Sequence, residues 1–482
     1  SSSGEIFNLL LDPSDYQATW VDEQLTQIAA LGYNTVRVFL DHCPGTCLIE
    51  SDGTLKPAYL DILTTFLTQI RDHGLVALLT LNDIVAGPRY ADALPCCDPF
   101  GGYLNSMFLT GEGVNITRTL WRDLIGGLQS RDAPLEVVLA YSLQNEQFMQ
   151  PQVAPFTLTS GLVTTGNGQT YQMADPSAKI AMAGDNEIYW VSNVANTIRD
   201  LDPTTLVTMG SFAPADPGTP PSTLLTFTHL VLTARLLAES NLDFFDFHAY
   251  PALDATLSQI ATRFGMTGYT AKPIVMGELG AFKIGYPTAA TGGDGLVGWQ
   301  VSSCPLGFDG WLTWSWGWDD PDIFNATDDG GAIAKALAPS IRPDPCTSPP
   351  IPINIALGRP VVVTGTFGGD VGPFAVDGLG NTGWNSGSGP PGSIEIDLGA
   401  AHTISEVRLL TSQDPAGPTT HQIQVRKANG LVFKTEVTLT GATAGDMWLR
   451  WIPKKPLKGI RWIRIVTTSS PSWVAWREVQ VY

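Results

Sequence analysis

The segment Leu139-Ala140-Tyr141-Ser142-Leu143-Gln144-Asn145-Glu146-Gln147, "LAYSLQNEQ", ends an apolar run begun at Val137 in an amide and a carboxylate. Such a run reads as a buried strand, with Asn145 and Glu146 at its C-terminal tip. Outward from it, further apolar runs bounded by turn signals lie at 5–10, 35–40, 75–81, 206–210, 244–248, 273–277 and 311–315. Helix-period segments at 20–31, 58–73, 186–201 and 224–240 alternate with them. Eight strand–helix alternations predict an α/β fold, a (β/α)8 TIM barrel with insertions over residues 1–342. One insertion, 156–173, alternates polar and apolar residues around Gly166-Asn167-Gly168 and predicts a hairpin able to close one end of a cleft. The other, from Asp83 to about Val114, is rich in Gly, Pro and Cys and predicts a long loop.

A proline-dense stretch at 343–352 predicts a short, stiff linker. Beyond it helical periodicity gives way to short strands at 393–398, 404–410, 421–426, 431–437 and 462–467, the pattern of an all-β sandwich over 353–482.

The chain has 482 residues, 44% hydrophobic and 15% charged, enough to bury large cores. Its net charge of −19 repels phosphate backbones and anionic lipid heads, so nucleic acid is excluded as a partner. No apolar run is long enough for membrane insertion. The opening Ser1-Ser2-Ser3-Gly4 carries neither Met nor an apolar signal segment and reads as a mature or trimmed chain. A neutral substrate suits this surface better, and a monomer is expected. Cys43, Cys47, Cys96, Cys97, Cys304 and Cys346 form an even set, suggesting up to three disulfides of undetermined connectivity in a secreted protein. Zinc held by the first four is the competing reading.

In a barrel, residues at the C-terminal strand tips converge on one cleft. These are Arg37, Asn145, Glu146, His248, Tyr250, Glu278 and Trp314. Two carboxylates framed by arginine, tyrosine and indole match the needs of glycosidic-bond cleavage by double displacement. Glu146 is expected to be the acid/base and Glu278 the nucleophile. Arg37 and Tyr250 would keep Glu278 ionised, whereas burial or coupling to Glu278 would keep Glu146 protonated. Asn145 is placed to hold the neighbouring sugar hydroxyl, and Trp314 to carry a pyranose ring.

The motifs "LGYNTVRVFLD" (31–41), "YSLQNEQ" (141–147), "FHAY" (247–250), "PIVMGELG" (273–280) and "GWLTWSWGWDD" (310–320) resemble, in order and spacing, the cellulase-like glycoside hydrolases of family 5 and their clan A relatives. The resemblance implies that Arg37 supports the nucleophile Glu278, that Asn145-Glu146 is the clan's Asn-Glu pair, and that His248 and Tyr250 line the reacting subsite. Family members commonly carry a histidine at the end of strand three; this chain has Leu81-Asn82-Asp83, so Asn82 and Asp83 are candidate replacements for a substrate contact.

Residues 353–482 resemble the discoidin, or coagulation factor type C, domain that includes family 32 carbohydrate-binding modules. The resemblance rests on "FAVDGLGNTGW" (374–384), "IEIDLG" (394–399), "ISEVRLL" (404–410) and "WIRIVTTSSPSWVAWREVQVY" (462–482). It implies a structural Ca²⁺ with Asp377, Thr382 and Glu478 among its oxygen ligands, and sugar contacts such as His421 and Trp473. Trp384 and Trp462 are expected to serve packing.

Together these features predict a secreted retaining β-glycoside hydrolase that needs no catalytic cofactor, with β-1,4-glucan or mannan as the first substrate guess. A non-catalytic lectin or adhesin and a transglycosylase are the alternatives.

Overall fold

The computed structural model describes residues 11–41, 48–85, 87–94, 99–251, 255–317, 320–346 and 354–482. The chain divides into two compact units, 1–348 and 349–482. Residues 5–10, expected to form the first strand, lie outside the described residues, as do Cys43, Cys47, Cys96 and Cys97.

The first unit alternates strands and helices. Its strands are β1 (Thr35–Phe39), β2 (Val76–Thr80), β3 (Val138–Ser142), β4 (Leu206–Thr208), β5 (Gly210–Phe212), β6 (Phe245–His248), β7 (Ile274–Leu279) and β8 (Gly310–Thr313). Its main helices are α1 (Ala18–Ala30), α2 (Pro57–Asp72), α3 (Gly111–Gln129), α4 (Pro176–Leu201), α5 (Thr233–Glu239), α6 (Leu257–Phe264), α7 (Ala289–Ser303) and α8 (Asp328–Leu337). Two four-stranded parallel sheets result, ordered β1-β2-β3-β4 and β8-β7-β6-β5. Only Met209 separates β4 from β5, so the chain passes directly from one sheet to the other. Leu78, Ala140 and Phe244 pack with Val275 and Leu312 in an apolar cluster fed by both sheets. A cavity of about 690 Å³ between β1 and β8 is lined by residues such as Val36, Val38, Trp311 and Trp316.

The helix α2 shows how an apolar stripe is buried. On α2, Tyr59, Leu63, Phe66, Leu67 and Ile70 recur at three- and four-residue spacing and are buried. The expected helix at 224–240 is corrected: only 221–224 and 233–239 are helical. Between them Leu230 forms a β-bridge to Met149, and the His229 ring lies 4.1 Å from that of Phe148, contacts that favour an extended chain over the local helical pattern. The loop after β2 is likewise more structured than expected, with a helix at Tyr103–Leu109 and α3 beginning at Gly111.

The expected hairpin is present, pairing Leu162–Thr164 with Thr170–Gln172. Its turn closes with Gly168 at φ +79°, a conformation open to glycine without strain. The Gly166 amide donates to Leu109 O, and the Tyr171 hydroxyl donates to Asp185 on α4, so the hairpin is anchored along the flank of these helices.

Residues 343–346, expected in the linker, are tied to the first unit. Arg342 donates to Pro345 O, and Cys346 is disulfide-bonded to Cys304.

The second unit is all-β. One sheet orders Val361–Val363, Gly392–Ile404, Leu457–Ser469, Gly417–Lys427 and Lys434–Thr443; the other orders Trp384–Asn385, Ala475–Val481, Val407–Thr411 and Trp448–Trp451. Both are antiparallel. Strict alternation along 392–398 buries Ile394, Ile396 and Leu398 against Ile463, Ile465, Trp384 and Trp476. Leu431 and Val432, expected to begin a strand, stand in the turn before Lys434, 94% and 80% exposed.

Candidate active site

Local strand geometry gathers the site residues. Pairing of β6 with β7 skips Gly277, a bulge that sets His248 opposite Glu278. Asp246 and His248, two apart on β6, share a face. Gly277 and Gly210 leave room for them: a Cβ on Gly277 would sit 1.4 Å from Asp246 Oδ1, and one on Gly210 would sit 3.2 Å from His248 Nε2.

Arg37, from β1, organises the cluster. Its Nη1 donates to Glu278 Oε1 at 2.5 Å, and its Nη2 donates to Asn145 Oδ1 at 2.5 Å. Its Nε lies 3.7 Å from Asp246 Oδ2, and its guanidinium covers the Phe39 ring. Tyr250 donates its phenol proton to Glu278 Oε2 at 2.5 Å, so both nucleophile-candidate oxygens are hydrogen-bonded. His248 Nδ1 is 2.9 Å from Glu146 Oε1 and 3.4 Å from Glu278 Oε2, while its Nε2 is 3.5 Å from Asp246 Oδ1. With carboxylates facing both ring nitrogens, only the imidazolium presents a proton to each.

The electrostatics follow from these contacts. Burial alone draws the His248 pKa down, but the Glu278 charge and the contacts with Asp246 and Glu146 outweigh it and push it up to about 10. Burial raises the Asp246 carboxyl, yet His248 and Arg37 hold it below the usual carboxylate range. The Tyr250 phenol is driven well up by burial and by the Glu278 charge, so it stays a donor. Glu146 departs from expectation. Burial pushes it up as the sequence required, but the hydrogen bond and charge of His248, joined by Arg37, leave it below its ordinary value. The Glu146 side chain is 36% exposed and that of Glu278 only 7%.

Glu146, His248 and Glu278 bring ligand atoms within 4.8 Å of one another, a span compatible with a metal ion. The donor chemistry disfavours one: both Glu278 oxygens already accept hydrogen bonds from Arg37 and Tyr250, and an imidazole with carboxylates at both nitrogens serves as a donor, not a ligand.

Of the other predicted residues, Asn82 and Trp314 are also brought to this cluster. Asn145 Nδ2 donates to Asn82 Oδ1 at 3.4 Å. Asp83 does not join them: its carboxylate accepts from the Tyr103 hydroxyl at 2.7 Å. Asp41 pins this loop by accepting the Asn82 and Asp83 amides. Trp314, at the tip of β8, packs edge-on against Phe39 with ring centroids 5.7 Å apart. Sequence reasoning missed Asp246 and Gly277; the signal for Asp246 was its alternation with His248 and Tyr250 along "DFHAY".

In the second unit, Thr382 donates to both Asp377 oxygens, and Glu478 Oε2 accepts the Gly378 amide at 3.3 Å. Glu478 is 1% exposed, and its Oε1 has no partner among the described residues. Burial pushes its pKa to about 8, and the nearby Asp377 charge adds to the rise against the lowering effect of the Gly378 amide. A buried orphan carboxylate oxygen beside a second carboxylate and a hydroxyl is a hard-oxygen donor set that fits Ca²⁺. The expectation for His421 is corrected. It is 4% exposed, bonded to Thr467 and packed edge-on to Trp476, and burial lowers its pKa to about 4. Trp473 remains open at 46% exposure. Trp384 is core, whereas Trp462 packs on the outer sheet face between the guanidiniums of Arg426 and Arg461.

Comparison with known proteins identifies the second unit. Residues 363–479 match the family model of the F5/8 type C domain, and the C-terminal unit is such a domain. Among solved structures, it is similar to the family 32 carbohydrate-binding module of Clostridium perfringens NanJ solved with galactose, at 20% identity over 27% of this chain and 96% of that one, TM-score 0.24. It is also similar to chitosan-binding module 2 of a Paenibacillus sp. IK-5 chitosanase/glucanase solved with chitotriose, at 27% identity over 27% and 99%, TM-score 0.24. No curated protein matches the chain.

Proposed function

We propose that the first unit is a retaining β-glycoside hydrolase and that the F5/8 type C domain binds glycan. The observation carrying the catalytic reading is the separation of Glu146 and Glu278, whose carboxylate oxygens approach within 4.8 Å. Retaining pairs stand about 5–5.5 Å apart, whereas inverting pairs leave about 6.5–9.5 Å for water. The supporting fold is a (β/α)8 barrel: two parallel sheets are joined at Met209 and share an apolar interior.

Glu278, aimed by Arg37 and Tyr250, attacks the anomeric carbon. Glu146, the more open carboxylate, protonates the leaving oxygen and then takes a proton from the incoming water. Asn145, held between Arg37 and Asn82, is positioned to hold the adjacent hydroxyl, and Trp314 at the neighbouring strand tip would line the sugar subsite. A β-1,4-linked glucan or mannan remains the first substrate to test, in a secreted protein whose Cys304–Cys346 disulfide suits an oxidising compartment.

Turnover by Glu146→Ala on an activated aryl β-glycoside should be rescued by azide, giving a β-glycosyl azide identified by NMR. An α-linked product contradicts double displacement at a β-linkage, and no rescue removes Glu146 from the acid/base role.

The Ca²⁺ proposal for Asp377, Thr382 and Glu478 has a signed pH test. Between the ordinary carboxylate value of 4.5 and about 8, the metal-free folded domain holds a proton on Glu478 that the unfolded chain has released. Its stability therefore falls as pH rises through that window. Calcium added to the full chain should raise the melting temperature more at about pH 8 than at about pH 5. Glu478→Gln should melt higher than wild type in chelator at the upper pH and lose the calcium response. Equal calcium effects in both proteins exclude Glu478 as a ligand.

A further inference from the structure

The cluster contains one carboxylate that the proposed reaction does not use. Asp246 is fully buried, and neither of its oxygens has a hydrogen-bond partner among the described residues. Its compensation is charge alone, from Arg37 Nε at 3.7 Å and His248 Nε2 at 3.5 Å. An ion so enclosed is costly unless its neighbours stay charged, and the bulge at Gly277 opens the space it occupies. The groups facing the Asp246–His248 pair are Arg37, Glu146, Glu278 and the Tyr250 phenol donating to Glu278. Two cations thus meet three carboxylates, and a proton passed between His248 and Glu146 leaves the net charge of the cluster unchanged.

We propose that Asp246 is a positioning residue that keeps a proton on His248, making the Asp246–His248 pair the reserve from which Glu146 is loaded. The inference rests on the hydrolase reading of the site. In the loading step the His248 Nδ1–H bond breaks and a Glu146 Oε1–H bond forms across 2.9 Å. His248 is left neutral with its remaining proton on Nε2, facing Asp246, and Glu146 passes the gained proton to the leaving oxygen. When Glu146 later deprotonates water, that proton returns along the same hydrogen bond to Nδ1. The arrangement accounts for an acid/base residue that is itself held below its ordinary pKa in the free protein.

The test is an imidazole ¹⁵N NMR titration of the full chain, with the His248 signal assigned by its loss in His248→Asn. The pH profiles of kcat and KM are measured in parallel on wild type and Asp246→Asn. In the wild type, His248 should remain doubly protonated past about pH 8. Removing an anion at this range should lower its titration by about 1–3 pH units. The alkaline limb of kcat should move to lower pH by the same amount, with KM little changed. A wild-type His248 that is neutral at about pH 7 overturns the proposal without any variant, so misfolding of Asp246→Asn would not shield it. Coincident titrations and coincident alkaline limbs in the two proteins also overturn it. The NMR titration needs no substrate: absence of turnover on every glycan would sink the hydrolase reading, while the titration judges the pair separately.

Discussion

Glu278→Gln is expected to lower kcat by about 10⁴-fold or more on any β-glycoside that the wild type cleaves, because loss of a covalent nucleophile removes the reaction path itself. Glutamine keeps the volume and one acceptor oxygen at a position where Arg37 and Tyr250 both donate. Its amide cannot accept from both, so a modest loss of stability accompanies the kinetic effect. The measurement is kcat on a panel of aryl β-glycosides and β-linked polysaccharides, with anomeric configuration followed by NMR and melting temperature recorded on the same preparations. Retention of configuration in the wild type, lost turnover in a folded variant, and a glycosyl-enzyme mass in the wild type form one consistent outcome. Turnover within tenfold of wild type in the variant sinks the nucleophile assignment.

The second large effect concerns stability. Arg37→Met should cost about 3–5 kcal/mol, since it leaves buried Asp246 and Glu278 without their shared cation. The penalty has a pH sign. Asp246 is held below its ordinary value in the fold, so its contribution to wild-type stability is present above the unfolded-state value and is lost as pH falls through the folded one. Urea unfolding should therefore show a wide gap between wild type and variant at about pH 7, narrowing once pH falls below the ordinary aspartate value of 3.8 toward the lower folded one. A pH-independent gap would assign the loss to packing over Phe39, the ring that the Arg37 guanidinium covers, and not to charge pairing.

Both effects act on contacts that local pattern could only suggest. The strands were legible because an apolar run ending in turn residues is a local feature, and β1, β2, β3 and β6 fall within one or two residues of expectation. The segment 224–240 was not, because its apolar residues satisfy a helical period while Leu230 is claimed by a bridge to Met149. His421 read as a surface polar residue, yet it stands at an inward position of a strand and is buried against Trp476. Asp246 was passed over because a carboxylate inside an apolar strand gains meaning only from the cations that meet it.

The sequence by itself determined the order of elements, the C-terminal β domain and the identity of the residues carried at the strand tips. These depend on side-chain period and apolar character, which neighbours along the chain are enough to express. Only the tertiary structure decided how those residues are charged. Arg37 and Glu278 are 241 positions apart in the chain and 2.5 Å apart in space, and Coulomb energy depends on the second separation alone. For the same reason the proton expected on Glu146 is drawn to His248: the Glu278 charge, with Glu146 also at Nδ1 and Asp246 at Nε2, outweighs the burial that would otherwise favour the neutral imidazole.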